Sequence, residues 1–170
     1  MTLGDIADRG LNLREPANQV SSRALVYWVL RAITTWVVLG AVEFVVFFVG
    51  GSPVSHRWVY LSASAAIALV YIIVMPPWRY AVHRWEATPN AVYTQTGWFN
   101  QERRIAPISR IQTVDSHRGP LEQMLSLANV TVTTASAAGP LKIHALDRVT
   151  ADRLVEDLTS RTQANTGDAT

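Results

Sequence analysis

The chain has 170 residues, enough for one domain of modest size and for less where part of it spans a membrane. It contains no cysteine, which excludes disulfide frameworks, thiolate metal sites and cysteine nucleophiles. The formal net charge is only +2, and this weak positive balance gives no support to nucleic-acid binding, which needs a concentrated basic face.

The chain begins with a stretch that lacks regular periodicity. Residues 1–22 mix polar and apolar positions and include Pro16, so we expect a flexible tail. A secretory signal peptide is a poor interpretation, because the first long apolar run starts too late and is too long for the apolar core of such a peptide.

Two long apolar runs follow, at residues 32–49 and 59–75. Each approaches the ~18–20 residues that a helix needs to cross about 30 Å of hydrocarbon. We therefore predict a transmembrane helical hairpin over residues 23–77, with helices at about 24–49 and 58–75. The turn between them is too short to be a domain, so the two helices run antiparallel.

Arginine is distributed unevenly around this hairpin. Only Arg57 lies in the turn, whereas five arginines flank the outer ends: Arg14, Arg23, Arg31, Arg79 and Arg84. By the positive-inside rule, this bias predicts a multi-pass protein of the inner (plasma) membrane with both termini in the cytoplasm. Aromatic residues near the span ends are expected at the level of the lipid headgroups: Trp28, Trp36, Trp58, Tyr60 and Trp78.

The hydrophobic period changes from helical to alternating after the hairpin. Proline has no N–H and restricts the residue before it, so we expect Pro76 and Pro77 to end the second helix. A first strand is then expected from Trp78. Further strands are predicted at residues 91–96, 103–114 with an interruption at Pro107, 129–134 and 141–145. Turn residues between the last two indicate a hairpin.

A closing helix is predicted from an N-cap at Asp147 to about residue 160. Its apolar positions follow the spacing of a single buried stripe: Ala151, Leu154, Val155 and Leu158. Residues 162–170 are small and polar and are expected to be disordered. Strands followed by one amphipathic helix indicate an α+β domain over residues 78–161, an antiparallel barrel or sandwich capped by the helix.

This order of elements is that of a pleckstrin-homology-like (PH-like) domain, and four motifs strengthen the resemblance. They are Thr-Gly-Trp-Phe at 96–99, Arg-Ile-Ala-Pro-Ile-Ser-Arg-Ile-Gln-Thr-Val at 104–114, Gly-Pro-Leu-Glu-Gln-Met-Leu-Ser-Leu-Ala at 119–128 and Val-Thr-Thr-Ala-Ser at 132–136. The chain thus resembles the bacterial membrane-flanked domain family of YdbS-like PH proteins. One departure is Gln123, where members of that family often carry arginine. The resemblance implies a membrane-anchored domain facing the cytoplasm, and it implies no catalytic residue.

Glu43 is an ionisable residue deep within a predicted span, where a buried charge is costly. One interpretation is a proton or ion site, or a polar contact with a partner helix. The other is a protonated carboxyl that is hydrogen-bonded to Ser62 or Ser64 of the second span. Small residues spaced four apart around these serines suit packing of the hairpin on itself, and dimerisation is the alternative.

Five arginines are candidate contacts to lipid or to a partner: Arg79, Arg84, Arg103, Arg104 and Arg110. Arginines close to a membrane surface gain from anionic lipid. The segment is not polybasic, however, since residues 78–161 contain ten Lys or Arg and eight Asp or Glu.

Catalytic chemistry is not indicated. Asp115, Ser116 and His117 are triad residue types, but neighbours on a strand point to opposite faces and do not converge. The histidines lack metal-ligand spacing, and neither a metal nor a cofactor is predicted.

The main functional hypothesis is therefore a non-enzymatic inner-membrane protein that presents a PH-like domain for protein–protein contact in an envelope- or stress-related assembly. Membrane lipids, a protein partner or a second copy of the chain are the expected partners. Sheet edges and the loops at Gly97 and Gly119 would form the binding surface. The alternatives are a module that binds anionic lipid at the inner leaflet, and an accessory subunit of a transport complex that uses Glu43.

Overall fold

The structure is a computed structural model of the chain, and it describes residues 15–50, 55–136 and 139–167. Two long helices form the predicted hairpin. Helix α1 spans Arg23–Phe44 and continues as a π-helical turn over Val45–Val49, and helix α2 spans Arg57–Val82. Both are long and apolar enough to cross a membrane, and only 6% of the most apolar window of each is buried. They are therefore not core helices of the adjoining domain.

Helix α2 does not end at the two prolines. Pro76 and Pro77 lie inside it, and residues 78–82 are helical, so the predicted end at Pro76 and the predicted strand from Trp78 are wrong. Proline removes one backbone hydrogen bond each time, a loss that membrane helices tolerate when neighbouring elements support the turn. Pro76 and Val82 are buried here, and this packing holds the last turn of α2 in the helix.

Seven strands form two antiparallel sheets. The first sheet has the order β1-β2-β3-β4, and the second has the order β5-β6-β7. The strands span Asn18–Gln19, Arg84–Ala87, Ala91–Thr96, Glu102–Pro107, Ile111–His117, Leu127–Thr134 and Leu141–Asp147. A 3-10 turn at Ile108–Arg110 separates β4 from β5, which explains why proline at the end of β4 is tolerated. The described strands form a PH-like sandwich and not a closed barrel.

Strand β1 precedes the hairpin in sequence. It pairs with β2, placing Asn18 opposite Trp85 and Gln19 opposite Arg84, and Val20 next to it is 5% exposed. The predicted flexible tail is therefore wrong for residues 18–22, while residues 1–14 lie outside the described part. The first sheet therefore contains a strand that precedes and strands that follow the hairpin in sequence. The boundary expected at residue 78 does not separate the sandwich from the membrane hairpin.

The core of the sandwich lies between the sheets and the closing helix. Helix α3 spans Pro120–Met124, and helix α4 spans Arg148–Gly167. Val130 and Val132 point inward from β6 and are completely buried, as the alternation predicts. The predicted stripe on α4 is also confirmed, with Ala151, Leu154 and Leu158 buried and Val155 packed against the same core. Burying each of the larger side chains stabilises the fold by about 1.5–3 kcal/mol.

The ends of α4 show one confirmed prediction and one error. The backbone N–H of Val149 donates to the Asp147 carboxylate at 3.2 Å, as expected of an N-cap. The helix then runs on to Gly167, so the predicted disordered tail is wrong for residues 162–167. Residues 168–170 lie outside the described part. The Thr162 hydroxyl donates to the Leu158 carbonyl at 2.8 Å within the added turn.

Candidate functional site

A cluster of polar and aromatic side chains lies where the hairpin meets the sandwich, and we call it the junction. Its central side chain is Trp28 of α1, which is only 1% exposed. Its ring centroid lies 5.0 Å from that of His83, and the Arg79 guanidinium carbon lies 5.0 Å from the same ring. Trp28 is thus enclosed by protein and does not lie among headgroups as the sequence suggested, whereas Trp58 is 67% exposed.

His83 joins the end of α2 to this cluster. It is 2% exposed, and its Nδ1 donates to the Arg79 carbonyl at 2.8 Å, since a carbonyl only accepts. Burial, together with the nearby Arg79 charge, outweighs the opposing effect of the hydrogen bond and lowers the pKa of His83 to about 4. The imidazole is therefore neutral at pH 7, which suits a structural role.

A small apolar core accompanies the Trp28 cluster and connects the two parts of the protein. It combines residues before and within α1 with residues of the second sheet: Val20, Ala24, Trp28, Leu127 and Ala145. Tyr80 of α2 packs against it. The backbone N–H of Ser21 also donates to the Ala145 carbonyl at 3.1 Å. The sandwich is consequently packed onto the hairpin rather than tethered to it by a loop.

Glu122 of α3 organises the polar side of the junction. Its Oε1 accepts from the Tyr27 hydroxyl at 3.0 Å and from the Asn129 amide at 2.9 Å, and its Oε2 accepts from the backbone N–H of Gly119. Asn129 in turn accepts from the Ala145 N–H at 2.9 Å. One carboxylate thus links α1, the start of α3 and strands β6 and β7.

The protonation of Glu122 follows from the same contacts. Burial by itself raises the pKa of the carboxyl, but hydrogen bonds from Asn129, Tyr27 and Gly119 favour the charged form, and the net effect lowers the pKa. The Arg31 guanidinium donates to the Tyr27 hydroxyl at 3.3 Å. Tyr27 therefore stands between a cation on one side and the Glu122 carboxylate on the other.

A cavity of about 340 Å³ lies between α1 and α2 at the junction end of the hairpin. Two arginines line it, Arg31 from α1 and Arg79 from α2. Trp28, Trp36 and Tyr71 form much of the remaining wall. The cavity combines positive charge with aromatic surface, a combination suited to an amphipathic anion.

The loop at Gly97 lies beside helix α2. Gly97 has a φ of +104°, a conformation that glycine adopts without strain. The Trp98 ring lies 6.2 Å from that of Tyr71 and 6.4 Å from that of Trp78, both on α2. Phe99 beside it is 85% exposed. In the Gly119 loop, the backbone N–H of Gly119 donates to Glu122. Both loops that were expected to bind a partner therefore belong to the junction.

The structure separates the five candidate arginines. Arg79 belongs to the junction. Arg84 on β2 and Arg103 on β4 both lie opposite Gln95 of β3 in the first sheet. Arg103 also forms an ion pair with Glu15 at 3.6 Å.

The last two candidate arginines lie away from the junction. Arg104 donates to the carbonyls of Gly139 and Pro140 at 2.9 and 2.6 Å, which explains it as a support for the β6–β7 turn. Arg110 is exposed at the end of the 3-10 turn that precedes β5.

The intramembrane polar residues are not brought together by hydrogen bonds. Glu43 is half-buried on α1, and the Ser62 hydroxyl donates to the Val59 carbonyl of its own helix at 3.0 Å. No hydrogen bond joins Glu43 to Ser62 or Ser64 in the described part of the hairpin. A role of these three residues in a polar contact remains a prediction.

Sequence reasoning did not identify Tyr27, Trp28, His83, Glu122 or Asn129 as a group. One signal was available, because Gly119-Pro120 followed by Glu122 has the spacing of a helix start at which the glutamate side chain accepts from the backbone N–H of the residue before the helix. That spacing predicts a hydrogen bond to Gly119, but it does not show that the other carboxylate oxygen reaches α1. Among the described residues, no group of three or more His, Asp or Glu could hold a metal ion.

Comparison with known proteins agrees with this architecture. The model of the bacterial PH domain family matches residues 24–162. UPF0699 transmembrane protein YdbS of Bacillus subtilis (strain 168) is 31% identical over 150 residues, covering 85% of this chain and 91% of the relative. No solved structure matches the chain. The match includes both hairpin helices as well as the sandwich, and the chain belongs to the bacterial PH domain family as a YdbS-like transmembrane protein.

Proposed function

We propose that the protein is a non-enzymatic component of the plasma membrane that holds its PH-like domain in a fixed orientation at the cytoplasmic face and presents it to a partner protein. The observation that carries this proposal is the junction itself. Trp28 packs against His83 and Arg79, while Glu122 ties α1 to the second sheet. A domain packed in this way keeps the same surface turned away from the membrane.

The orientation is supported by charge. The outer ends of the hairpin carry Arg23, Arg31, Arg79 and Arg84, and the turn carries Arg57. Under the positive-inside rule the domain end of the hairpin then lies in the cytoplasm. A reporter fused after α4 tests this part, and a reporter active only outside the cytoplasm would reject the orientation.

A non-enzymatic role is supported by what the buried charged and polar groups do. Glu122 accepts three hydrogen bonds, and His83 donates to a helix carbonyl, so both groups are engaged in joining structural elements. On strand β5, Asp115, Ser116 and His117 follow one another and are exposed. Successive residues on a strand alternate between its faces, so these three do not converge on one substrate atom.

The free edge of β5 is the surface best suited to a partner. Among the described strands, Ile111–His117 pairs only with β6, and most of its residues are exposed. An unpaired strand edge offers backbone donors and acceptors to an added strand from another protein. The loops at Gly97 and Gly119 are less suitable because α2 and Glu122 already engage them.

Site-specific photo-crosslinking in the intact membrane tests the partner role. A photoreactive residue at Asp115, exposed on β5, is expected to capture a protein of defined mass. The matched control is the same residue at Glu156, which is exposed on α4. Capture of the same proteins from both positions, or of none from Asp115, would reject β5 as the partner surface.

A further inference from the structure

The cavity between the two membrane helices has a composition that the partner role does not explain. We propose that it binds the phosphate group of an anionic phospholipid through Arg31 and Arg79. This inference goes beyond the proposed partner function and does not depend on it, because it concerns the hairpin rather than the edge of β5.

Charge is the first argument. Arg31 and Arg79 line one cavity, no acidic residue is among the described residues that line it, and neither arginine forms an ion pair in the described part of the chain. Two guanidinium groups that share a half-enclosed space repel each other, and a bound anion removes that repulsion. Arginine also matches phosphate oxygens with two parallel N–H donors, so a phosphate group suits this pair of side chains.

The positions of the two arginines are fixed by their neighbours. Arg79 is half-buried, and its guanidinium lies 5.0 Å from the centre of the Trp28 ring, so it does not swing freely into water. Arg31 is exposed and donates to the Tyr27 hydroxyl at 3.3 Å, which is itself bonded to Glu122. Both cations are therefore held at the cavity by the junction, and an incoming phosphate encounters preformed donors.

The level of the cavity along the hairpin indicates a lipid rather than a soluble anion. Trp36 and Tyr71 line it, and Tyr71 also contacts Trp98 of the Gly97 loop. Tryptophan and tyrosine favour the headgroup level of a bilayer. Leu39 lines the cavity one helical turn beyond Trp36, and Val38 beside it is 56% exposed. A phosphate at the arginines thus leaves acyl chains lying along the apolar face of α1.

Native mass spectrometry of the full-length protein in a neutral detergent tests this site. The protein is offered an equal mixture of phosphatidylglycerol and phosphatidylcholine, and the fraction that retains each lipid is measured. The variants are Arg31→Gln and Arg79→Gln. The matched control is Arg57→Gln, because Arg57 also lies over an aromatic ring, 4.9 Å from Phe48, at the opposite end of the hairpin. A further sample contains millimolar inorganic phosphate.

We expect the wild type to retain phosphatidylglycerol in preference to phosphatidylcholine. Each of Arg31→Gln and Arg79→Gln should lower that retention about fivefold, the effect of one basic residue near an anionic surface. Arg57→Gln should leave it unchanged, and inorganic phosphate should not compete. Because Arg31 is exposed, its variant leaves the Arg79 stack on Trp28 in place even if Arg79→Gln loosens that stack.

Three results would overturn the proposal. The first is unchanged retention in Arg31→Gln. The second is an equal loss in Arg57→Gln, which would show a general effect of charge on the hairpin. The third is displacement of the lipid by inorganic phosphate, which would show that the arginines bind a soluble anion. None of these results bears on photo-crosslinking from β5, so the two proposals fail separately.

Discussion

Replacing Glu122 with glutamine removes the negative charge of this side chain with almost no change in its shape. The carboxylate accepts from the Tyr27 hydroxyl, the Asn129 amide and the Gly119 N–H. A glutamine offers one oxygen and one NH₂ group, so in either orientation the NH₂ faces at least one of these donors. Glu122 is 8% exposed, and water has little room to compensate.

The expected cost follows from the bonds that the amide does not replace. A hydrogen bond to a charged group contributes about 1.5–3 kcal/mol, so we expect Glu122→Gln to lower the free energy of unfolding by about 2 kcal/mol. The assay is equilibrium unfolding of the full-length protein in mild detergent, followed by near-ultraviolet circular dichroism. Hydrogen exchange at the Ala145 N–H, which depends on Asn129, should accelerate in parallel.

Glu156→Gln is the matched control, since Glu156 is exposed on α4. Surface substitutions of this kind change stability by no more than about 0.5 kcal/mol. If Glu122→Gln costs no more than Glu156→Gln, the carboxylate does not tie the hairpin to the sandwich, and the argument for a fixed domain orientation is wrong.

Three further perturbations test the junction. Trp28→Ala should lower the free energy of unfolding by about 3–5 kcal/mol. Trp58→Ala, at the exposed turn end of the hairpin, should lower it far less in the same unfolding assay. Equal losses would contradict the buried stack. Lowering the pH from 6.5 towards 4 should destabilise the protein by on the order of 3 kcal/mol. The pKa of His83 is lowered to about 4 in the folded protein, so in this range the histidine takes up a proton in the unfolded chain but not in the folded one. Thermal unfolding across this range should show the slope. His83→Asn should reduce the slope and leave the contribution of His144, whose pKa burial also lowers; an unchanged slope would show that His83 does not cause it. Gly97→Ala should destabilise the protein more than Gly139→Ala in the same unfolding assay. Both glycines have positive φ, but only the methyl group at Gly97 would overlap a neighbouring carbonyl oxygen. Equal losses of stability would show that the overlap is relieved.

Most elements were predictable because their signals are local. The apolar runs that became α1 and α2 exceed the length of a core helix, and the alternation at residues 129–134 placed Val130 and Val132 on the buried face of β6. The stripe on α4 was equally clear. In each case a single period, 3.6 for a helix or 2 for a strand, states which side chains turn inward.

The errors occurred where a neighbouring element overrode a local rule. Pro76 and Pro77 are poor helix residues, yet α2 continues through them because its last turn packs at the junction. Residues 18–22 have no strong strand period, yet β1 forms because β2 offers it an unpaired edge. Trp28 has the position of an interfacial aromatic residue, and only the sandwich packed against α1 buries it.

A membrane hairpin followed by a strand-rich PH-like domain can be predicted from the amino-acid sequence, since length, hydropathy and periodicity are properties of contiguous segments. How the two parts are joined is visible in the folded structure alone. Glu122 and Tyr27 are far apart in the chain, and so are Arg31 and Arg79. No local pattern reports that the first pair is hydrogen-bonded or that the second pair lines one cavity. Both arrangements follow from the packing of the sandwich on α1 and of α1 against α2.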